Sequence, residues 1–262
     1  MKKFNTDAIT DIGVKKSVNQ DALLLKQAHS TAVGDICFGC LCDGMGGLSA
    51  GEIASSALVH RMDEWFRVEL PGLLSRPDFT ESLSEDPSCE NIYLRQVEKN
   101  WDYIVNEMNV RLQKYGMQKG IRIGTTIVAI LVIENDYIIM NVGDSRAYRC
   151  SDEECDLLTH DHSYVQQQMD MGRMTQEEAK VSDKKSVLLQ CVGASEEVVP
   201  SFYYGKCGDN NKYLLCSDGL WRRMEEKEII SMLQRKQALE AMTNLVKKRG
   251  ETDNISGLVI AV

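Results

Sequence analysis

The sequence has 262 residues, of which 43% are hydrophobic and 26% are charged, a composition typical of a globular protein and not of a disordered or fibrous one. Lys and Arg number 30 against 39 Asp and Glu, a net charge of −9, which argues against nucleic acid or an anionic membrane as the main partner. No apolar run approaches the ~18–20 residues of a membrane span. The first seven residues lack the apolar core of a signal peptide.

The cysteines indicate a reducing compartment. There are 9 of them, an odd number in a chain too large to depend on disulfides, which predicts reduced thiols and a cytoplasmic location. The one CxxC spacing, from Cys37 to Cys40, lies inside an apolar run without a second pair. It predicts buried strand thiols in preference to a zinc site.

The N-terminal part predicts two strands followed by a long helix. Apolar runs at residues 23–25 and 36–42 predict the strands, and the second run is apolar enough to be buried on both faces. The helix is predicted over 52–70, because Ser49 and Glu52 have the S-x-x-E spacing of a capping box.

A proline-rich loop and a second helix come next. Pro71, Pro77 and Pro87 indicate a surface loop. Apolar residues at steps of three and four then predict a helix over 91–115. The apolar residues then alternate with polar ones or form continuous runs, which predicts successive antiparallel strands at residues 125–133, 137–142 and 147–150. Turns at 134–136 and 143–145 join them.

The C-terminal part returns to mixed elements after a polar stretch at residues 160–185. A strand, two helices and a final strand are predicted at 213–217, 225–233, 237–248 and 255–262. This order predicts an α+β fold, with two packed sheets and helices outside, in a single domain over residues 1–262.

Aspartates recur at the ends of the predicted strands. They are Asp21, Asp43, Asp144, Asp218 and Asp253, and the one basic residue close to any of them is Arg146. A single Asp-Gly pair is ordinary turn chemistry, but unpaired carboxylates held close together repel one another and need a cation. All-oxygen ligands suit Mg²⁺ or Mn²⁺ and not zinc. The sequence therefore predicts a hydrated metal centre.

Seven parts of the sequence resemble, in order, the motifs of the metal-dependent serine/threonine protein phosphatases of the 2C type, most closely the bacterial members. They are residues 11–21 (DIGVKKSVNQD), 43–47 with 51–55 (DGMGG, GEIAS), 124–126 (GTT), 141–146 (NVGDSR), 158–163 (LTHDHS), 217–221 (SDGLW) and 253–254 (DN). Together they span nearly the whole sequence.

The resemblance implies a four-layer α-β-β-α sandwich of two mainly antiparallel sheets, with two Mn²⁺ or Mg²⁺ ions in a cleft at one end. Asp43 would bridge the ions and, with Asp218, carry catalysis, and the Gly44 carbonyl would be a ligand. The inner ligand set would be completed by Asp21, Asp218 and Asp253. A third, weaker ion would involve Asp144.

The resemblance also implies the reaction and its partners. A metal-activated water would attack the phosphorus of phosphoserine or phosphothreonine in line, without a covalent enzyme intermediate. The substrates would be phosphoproteins, and the enzyme would oppose a serine/threonine kinase. A monomer is the simplest assumption for the oligomeric state.

Several positions depart from the family pattern. Lys16 takes the place of the usual phosphate-binding arginine, and it keeps the charge but loses the bidentate fork. Gln20 stands where an acidic residue is common and would accept a hydrogen bond from metal-bound water, while Asn254 would orient Asp253. Where this sequence has Met45 and Leu48, family members carry a histidine that is the candidate general acid. The proton for the leaving group would then come from a water on the third ion or from His162, although a structural role fits a loop histidine better.

A flap is expected beside the cleft. Residues 163–186 match the mobile flap of bacterial members. Lys184 and Lys185 within it would either meet an anionic substrate or form a solvated charge pair.

Other chemistries fit the sequence less well. Residues 47–51 match the G-x-S-x-G of serine hydrolases, but Ser49 is better explained as a helix cap. Cys216 and Arg222 have the C-x₅-R spacing of cysteine-dependent phosphatases, but Asp218 between them would repel a phosphate dianion. The remaining alternatives are a catalytically weak or inactive phosphatase-like module that binds phosphoproteins, and a metal-stabilised scaffold.

Overall fold

The computed structural model describes residues 4–45, 50–75 and 91–262. Its strands are β1 (Asn5–Asp11), β2 (Asp21–Ser30), β3 (Gly34–Met45), β4 (Gly124–Thr125), β5 (Ile127–Ile133), β6 (Asp136–Val142), β7 (Arg146–Cys150), β8 (Cys155–Leu157), β9 (Ser201–Lys206), β10 (Lys212–Cys216) and β11 (Ile255–Ala261). Its α-helices are α1 (Gly51–Glu64), α2 (Leu70–Ser75), α3 (Ile92–Lys119), α4 (Tyr164–Asp170), α5 (Gln176–Val181), α6 (Asp218–Trp221), α7 (Glu226–Leu233) and α8 (Ala238–Lys248).

The strands form two antiparallel sheets. One has the order β1-β11-β10-β7-β8, and the other has the order β2-β3-β5-β6-β9, with β4 paired to β3. Apolar side chains from both sheets meet between them, among them Leu41, Ile130, Tyr213 and Leu258. Burial of this interface holds the two sheets face to face.

Helices cover the outer face of each sheet. Trp65 and Trp101, from the segment after α1 and from α3, pack with Phe38 on the β2–β9 sheet. Leu239 and Met242 of α8 pack against the β1–β8 sheet. The predicted α+β, four-layer α-β-β-α sandwich is confirmed.

Strand β3 shows why its sequence is almost entirely apolar. Cys37 and Leu41 face the space between the sheets, whereas Phe38 and Cys40 face the helices. Both faces are buried, as predicted. Because Cys37 and Cys40 lie on opposite faces, they do not form a zinc site, and the buried-thiol interpretation is the correct one.

Two predictions about local structure near α1 are revised. The helix predicted over 52–70 is α1, a π-helical segment at Trp65–Glu69, and α2. Pro71 lies in α2 and not in a loop, directly after the π-helical turn that ends with the Leu70 N–H bonded to the Trp65 carbonyl. Ala50 is the N-cap residue of α1; Ser49, the predicted cap, lies outside the described residues, as do Pro77 and Pro87.

The connection from β6 to β7 is not the predicted hairpin. β6 pairs with β5 and β9, whereas β7 pairs with β10 and β8. The segment at 143–145 therefore carries the chain from one sheet to the other. Strands β1, β8 and β9 were not predicted.

One disulfide contradicts the prediction of wholly reduced thiols. Cys150 and Cys155 are bonded across the β7–β8 pair. In the described ranges, no helix combines the length and the apolar character that a bilayer crossing requires.

Candidate metal centre

The β2–β3 hairpin brings the first two predicted aspartates together. Its antiparallel register places Asp21 opposite Asp43. The backbone of Asp43 is fixed on its other side: its N–H donates to Thr126 Oγ1 at 3.0 Å, and its carbonyl accepts from the Thr126 N–H at 2.9 Å. Two carboxylates therefore stand side by side on rigid strands.

The other sheet supplies Asp218 and Asp253. Asp218 opens α6 two residues after β10 ends, and Asp253 precedes β11, which pairs with β10. Ser217 links the sheets, because its hydroxyl donates to Asp21 Oδ2 at 3.0 Å. Gly219 is required here, since a Cβ on it would lie 2.0 Å from the carbonyl oxygen of Asn254.

Asp144 comes from the crossover between the sheets and is 5% exposed. Its carbonyl accepts a hydrogen bond from Trp221 Nε1 at 3.0 Å. The change of sheet at this turn, which the sequence did not reveal, is therefore what brings Asp144 to the residues after β10.

Mutual repulsion shows that these five side chains share one site. Burial, and then repulsion from the other four aspartates, raises the pKa of Asp43 well above its usual range. Burial likewise raises the pKa values of Asp21 and Asp144 to about 7 each. Asp21 Oδ1 and Asp218 Oδ1 are buried without any hydrogen-bond partner, which is costly for a carboxylate unless a cation completes the site.

Two basic side chains lie against the carboxylates, and neither is Arg146. Arg222 Nη2 is 2.6 Å from Asp218 Oδ2 and 3.2 Å from Asp144 Oδ2. Lys16 Nζ is 2.8 Å from Asp253 Oδ1. Arg146, expected near Asp144, instead pairs with Asp161. The spacing of Arg222 four residues after Asp218, at a helix start, was the signal that could have revealed this pair.

The carboxylate oxygens are ligands that suit a hard cation, but their present positions do not form a metal-binding group. Among the residues in the described ranges, no three Asp, Glu, His or Cys side chains form a group that could hold a metal ion. Since Lys16 bonds to Asp253 Oδ1, binding an ion at Asp253 requires the Lys16 side chain to adjust. The oxygen-only donor set and the two unpartnered oxygens match Mg²⁺ or Mn²⁺.

Gly44 lies at a position that has no room for a side chain. A Cβ on it would be 2.3 Å from the Gly51 carbonyl oxygen and 2.5 Å from that of Gln20. Its N–H donates to the Gln20 carbonyl at 3.1 Å. Only glycine fits between the start of α1 and the end of the loop before β2, while the role of its carbonyl as a ligand stays a prediction.

Asn254 and Gln20 hold the loop that carries Lys16. Asn254 Nδ2 donates to the carbonyls of Ile12 and Val18, and its Oδ1 accepts from the Gln20 N–H at 2.9 Å. The backbone N–H of Asn254 donates to Asp253 Oδ1 at 2.8 Å. The Asn254 side chain thus fixes residues 12–20, and its backbone orients Asp253.

His162 is engaged on both ring nitrogens. Nδ1 accepts from the Gly143 N–H at 3.4 Å, and Nε2 is 2.8 Å from Ser201 Oγ. Burial lowers the pKa of His162. These contacts support the structural interpretation over that of a general acid. The flap, residues 163–186, contains α4 and α5, with Lys184 Nζ 4.7 Å from the centre of the Tyr164 ring; its mobility and the roles of Lys184 and Lys185 stay predictions.

The alternative nucleophiles are not supported. Cys216 is fully buried in β10, and burial raises the pKa of its thiol. Arg222 points to carboxylates, so the C-x₅-R spacing is not a phosphate loop. Ser49 and Leu48 lie outside the described residues, and Met45 ends β3.

Comparison with known proteins agrees with this geometry. A model of the family described as Protein phosphatase 2C matches residues 13–258. Serine/threonine phosphatase stp of Listeria welshimeri is 29% identical over 223 residues, which are 83% of this chain and 81% of that protein. The solved serine/threonine phosphatase of S. agalactiae has a TM-score of 0.81 at 27% identity, covering 99% of this chain and 100% of that one.

A further solved structure shares the fold. The catalytic domain of the phosphatase PstP, in complex with 2 manganese ions, has a TM-score of 0.73 at 24% identity, covering 98% of this chain and 97% of that one. The family match spans most of the sequence, and the relatives act as serine/threonine phosphatases. The chain therefore belongs to the protein phosphatase 2C family and is a serine/threonine protein phosphatase.

Proposed function

We propose that this phosphatase is metal-dependent and that the clustered aspartates hold its ions. The ligands are carboxylates from both sheets and one carbonyl: Asp21, Asp43, Gly44, Asp218 and Asp253. The observation that carries the proposal is the pair of buried carboxylate oxygens, Asp21 Oδ1 and Asp218 Oδ1, that have no partner.

Charge supports the same conclusion. Five carboxylates, Asp144 included, face only two cationic side chains among the contacts described above. Burial is the largest cause of the raised pKa of Asp43, and repulsion by the excess negative charge is the second. Divalent cations neutralise such a cluster, and oxygen donors bind Mn²⁺ and Mg²⁺. The ions of PstP belong to that protein, and the proposal for this chain rests on its own side chains.

The aspartates and Lys16 have different roles in the proposed hydrolysis. When bound, divalent ions supply a water of lowered pKa and neutralise charge on phosphoryl oxygens. Asp43 of β3 and Asp218 at the start of α6 would hold the ions and so orient the reacting groups. Lys16, whose side chain is 40% exposed, lies at the edge of the site and binds a phosphate oxygen of the substrate once it leaves Asp253.

The biological setting follows the same proposal. The substrates are phosphoserine and phosphothreonine proteins, which a serine/threonine kinase makes. The net charge of −9 favours recognition of the phosphorylated segment at the site itself over broad attraction to anionic partners.

Hydrolysis of a phosphothreonine peptide tests the proposal. Phosphate release is measured with Mn²⁺, with Mg²⁺ and with chelator, for the wild type, Asp218→Asn and the exposed control Asp156→Asn. We expect release only with metal, and a loss of at least about 100-fold in Asp218→Asn, since even residues that only orient metal ligands are worth 10–100-fold. A folded wild type without release under all conditions would instead support the inactive binding module.

A further inference from the structure

One guanidinium lies between two of the clustered carboxylates. A single nitrogen, Arg222 Nη2, contacts both Asp218 Oδ2, at 2.6 Å, and Asp144 Oδ2, at 3.2 Å. The arginine side chain is 21% exposed. Because arginine keeps its charge at every pH a protein experiences, this position holds a permanent cation.

The fold fixes that cation in place. The Arg222 N–H donates to the Asp218 carbonyl at 3.0 Å, so the single turn of α6 sets the two side chains on one face. Trp221 Nε1 donates to the Asp144 carbonyl at 3.0 Å, and the Arg146 guanidinium lies 3.5 Å from the centre of the Trp221 ring. Helix α6 and the Asp144 turn are therefore joined, and Arg222 lies at their junction.

The two oxygens of Asp218 are used differently. Oδ2 bonds to Arg222, whereas Oδ1 is buried and has no hydrogen-bond partner. One carboxylate can thus serve Arg222 and the proposed ion centre together. Asp144 is different, because its Oδ2 bonds to the same guanidinium and burial leaves it little access to water.

We propose that Arg222 is a built-in cation that replaces the third, weaker ion expected at Asp144. This inference rests on the proposed function, in which the other aspartates hold two ions. A third divalent ion near Asp144 would compete with the guanidinium for the same carboxylates and would be repelled by its charge. The family resemblance implies a third ion, whereas the position of Arg222 predicts two ions.

The number of Mn²⁺ ions bound per chain tests the inference. It is measured by equilibrium dialysis with metal analysis on the full chain, for the wild type, Arg222→Gln and Arg223→Gln. Arg223 is a matched control, because it also loses one charge but pairs with Glu251 and is 49% exposed. We expect two ions in the wild type and in Arg223→Gln, and a third in Arg222→Gln, bound at least tenfold more tightly than any further ion in the wild type.

The outcomes separate the two proposals. A wild type that binds three ions, or an Arg222→Gln variant that still binds two, overturns the inference alone. A wild type that binds none overturns the proposed function as well. If circular dichroism shows that Arg222→Gln does not fold, Arg222→Lys replaces it; that variant keeps the charge, and a third ion bound to it overturns the inference.

Discussion

Two partly buried arginines near Trp221 have opposite charge balances. Arg146 stacks on the indole and forms three hydrogen bonds of 2.8–3.3 Å to both oxygens of Asp161. Arg222 uses one nitrogen to contact two carboxylates that belong to a cluster of five. The charge of Arg146 is balanced by one carboxylate, whereas Arg222 lies among more carboxylates than it can neutralise.

The difference distinguishes a structural pair from a site. Asp161 Oδ1 and Oδ2 both accept hydrogen bonds, so nothing more is needed to bury the pair. In the cluster, Asp21 Oδ1 and Asp218 Oδ1 accept none. Unbalanced charge on a rigid frame is expensive to fold, and the ions that we propose there would offset that cost.

Breaking the balanced pair should have the largest effect on stability. Asp161→Ala leaves the Arg146 guanidinium buried without its counterion, which should cost about 3–5 kcal/mol in the free energy of unfolding. The control is Asp156→Ala, which breaks the exposed pair between Arg149 of β7 and Asp156 of β8. Its expected cost is below about 1 kcal/mol. Urea unfolding measures both, and equal losses would contradict the structural role of the Arg146 pair.

The unbalanced cluster should give an unusual pH dependence in chelator. Asp21 and Asp144 have pKa values raised from 3.8 to about 7, so their contribution to stability is full below the unfolded pKa and is lost as the pH rises to about 7. At about 1.36 kcal/mol per pKa unit, each should remove up to about 4 kcal/mol over this range.

Urea unfolding of the wild type and Asp21→Asn, both in chelator, isolates this effect from other titrating groups. The wild type should lose stability relative to Asp21→Asn as the pH rises. A constant difference between the two proteins from about pH 4 to about pH 7 would show that Asp21 does not carry unbalanced charge.

The smallest expected effect concerns Lys16, at the exposed edge of the cluster. If it binds substrate phosphate, Lys16→Ala should raise KM for a phosphopeptide roughly three- to tenfold, or about 0.7–1.4 kcal/mol. Lys16→Arg keeps the charge and adds a bidentate fork, so its KM should equal or fall below that of the wild type. A KM unchanged in Lys16→Ala would remove Lys16 from the substrate site.

The sequence predicted the layers better than the connections between them. The apolar run at residues 36–42 indicated a strand buried on both faces, and β3 confirms it. The turn at 143–145 has the composition of a hairpin, and no local pattern shows that the next strand pairs with β10 instead. Strand β1 was missed because it is half exposed and its residues are mostly polar.

The aspartates of the site and Lys16 were predictable from the sequence, whereas Arg222 was not. Aspartates at strand ends can be read from the sequence, and antiparallel pairing of β2 with β3 places Asp21 opposite Asp43. Arg222 stands beside Trp221 in the sequence, but its side chain reaches Asp144, which is 78 residues away. Whether Arg146 pairs with Asp144 or with Asp161 depends on the crossover between sheets, which is a tertiary feature.

Thermal unfolding with and without Mn²⁺ tests most directly the claim that the unbalanced cluster binds divalent ions. Free Mn²⁺ at 100 times its Kd should stabilise the wild type by about 2.7 kcal/mol for each ion bound, seen as a rise in Tm over the sample in chelator. Asp156→Ala should show the same rise, and Asp43→Asn should show little or none. A wild-type Tm that Mn²⁺ does not change, or an equal rise in Asp43→Asn, would contradict the account.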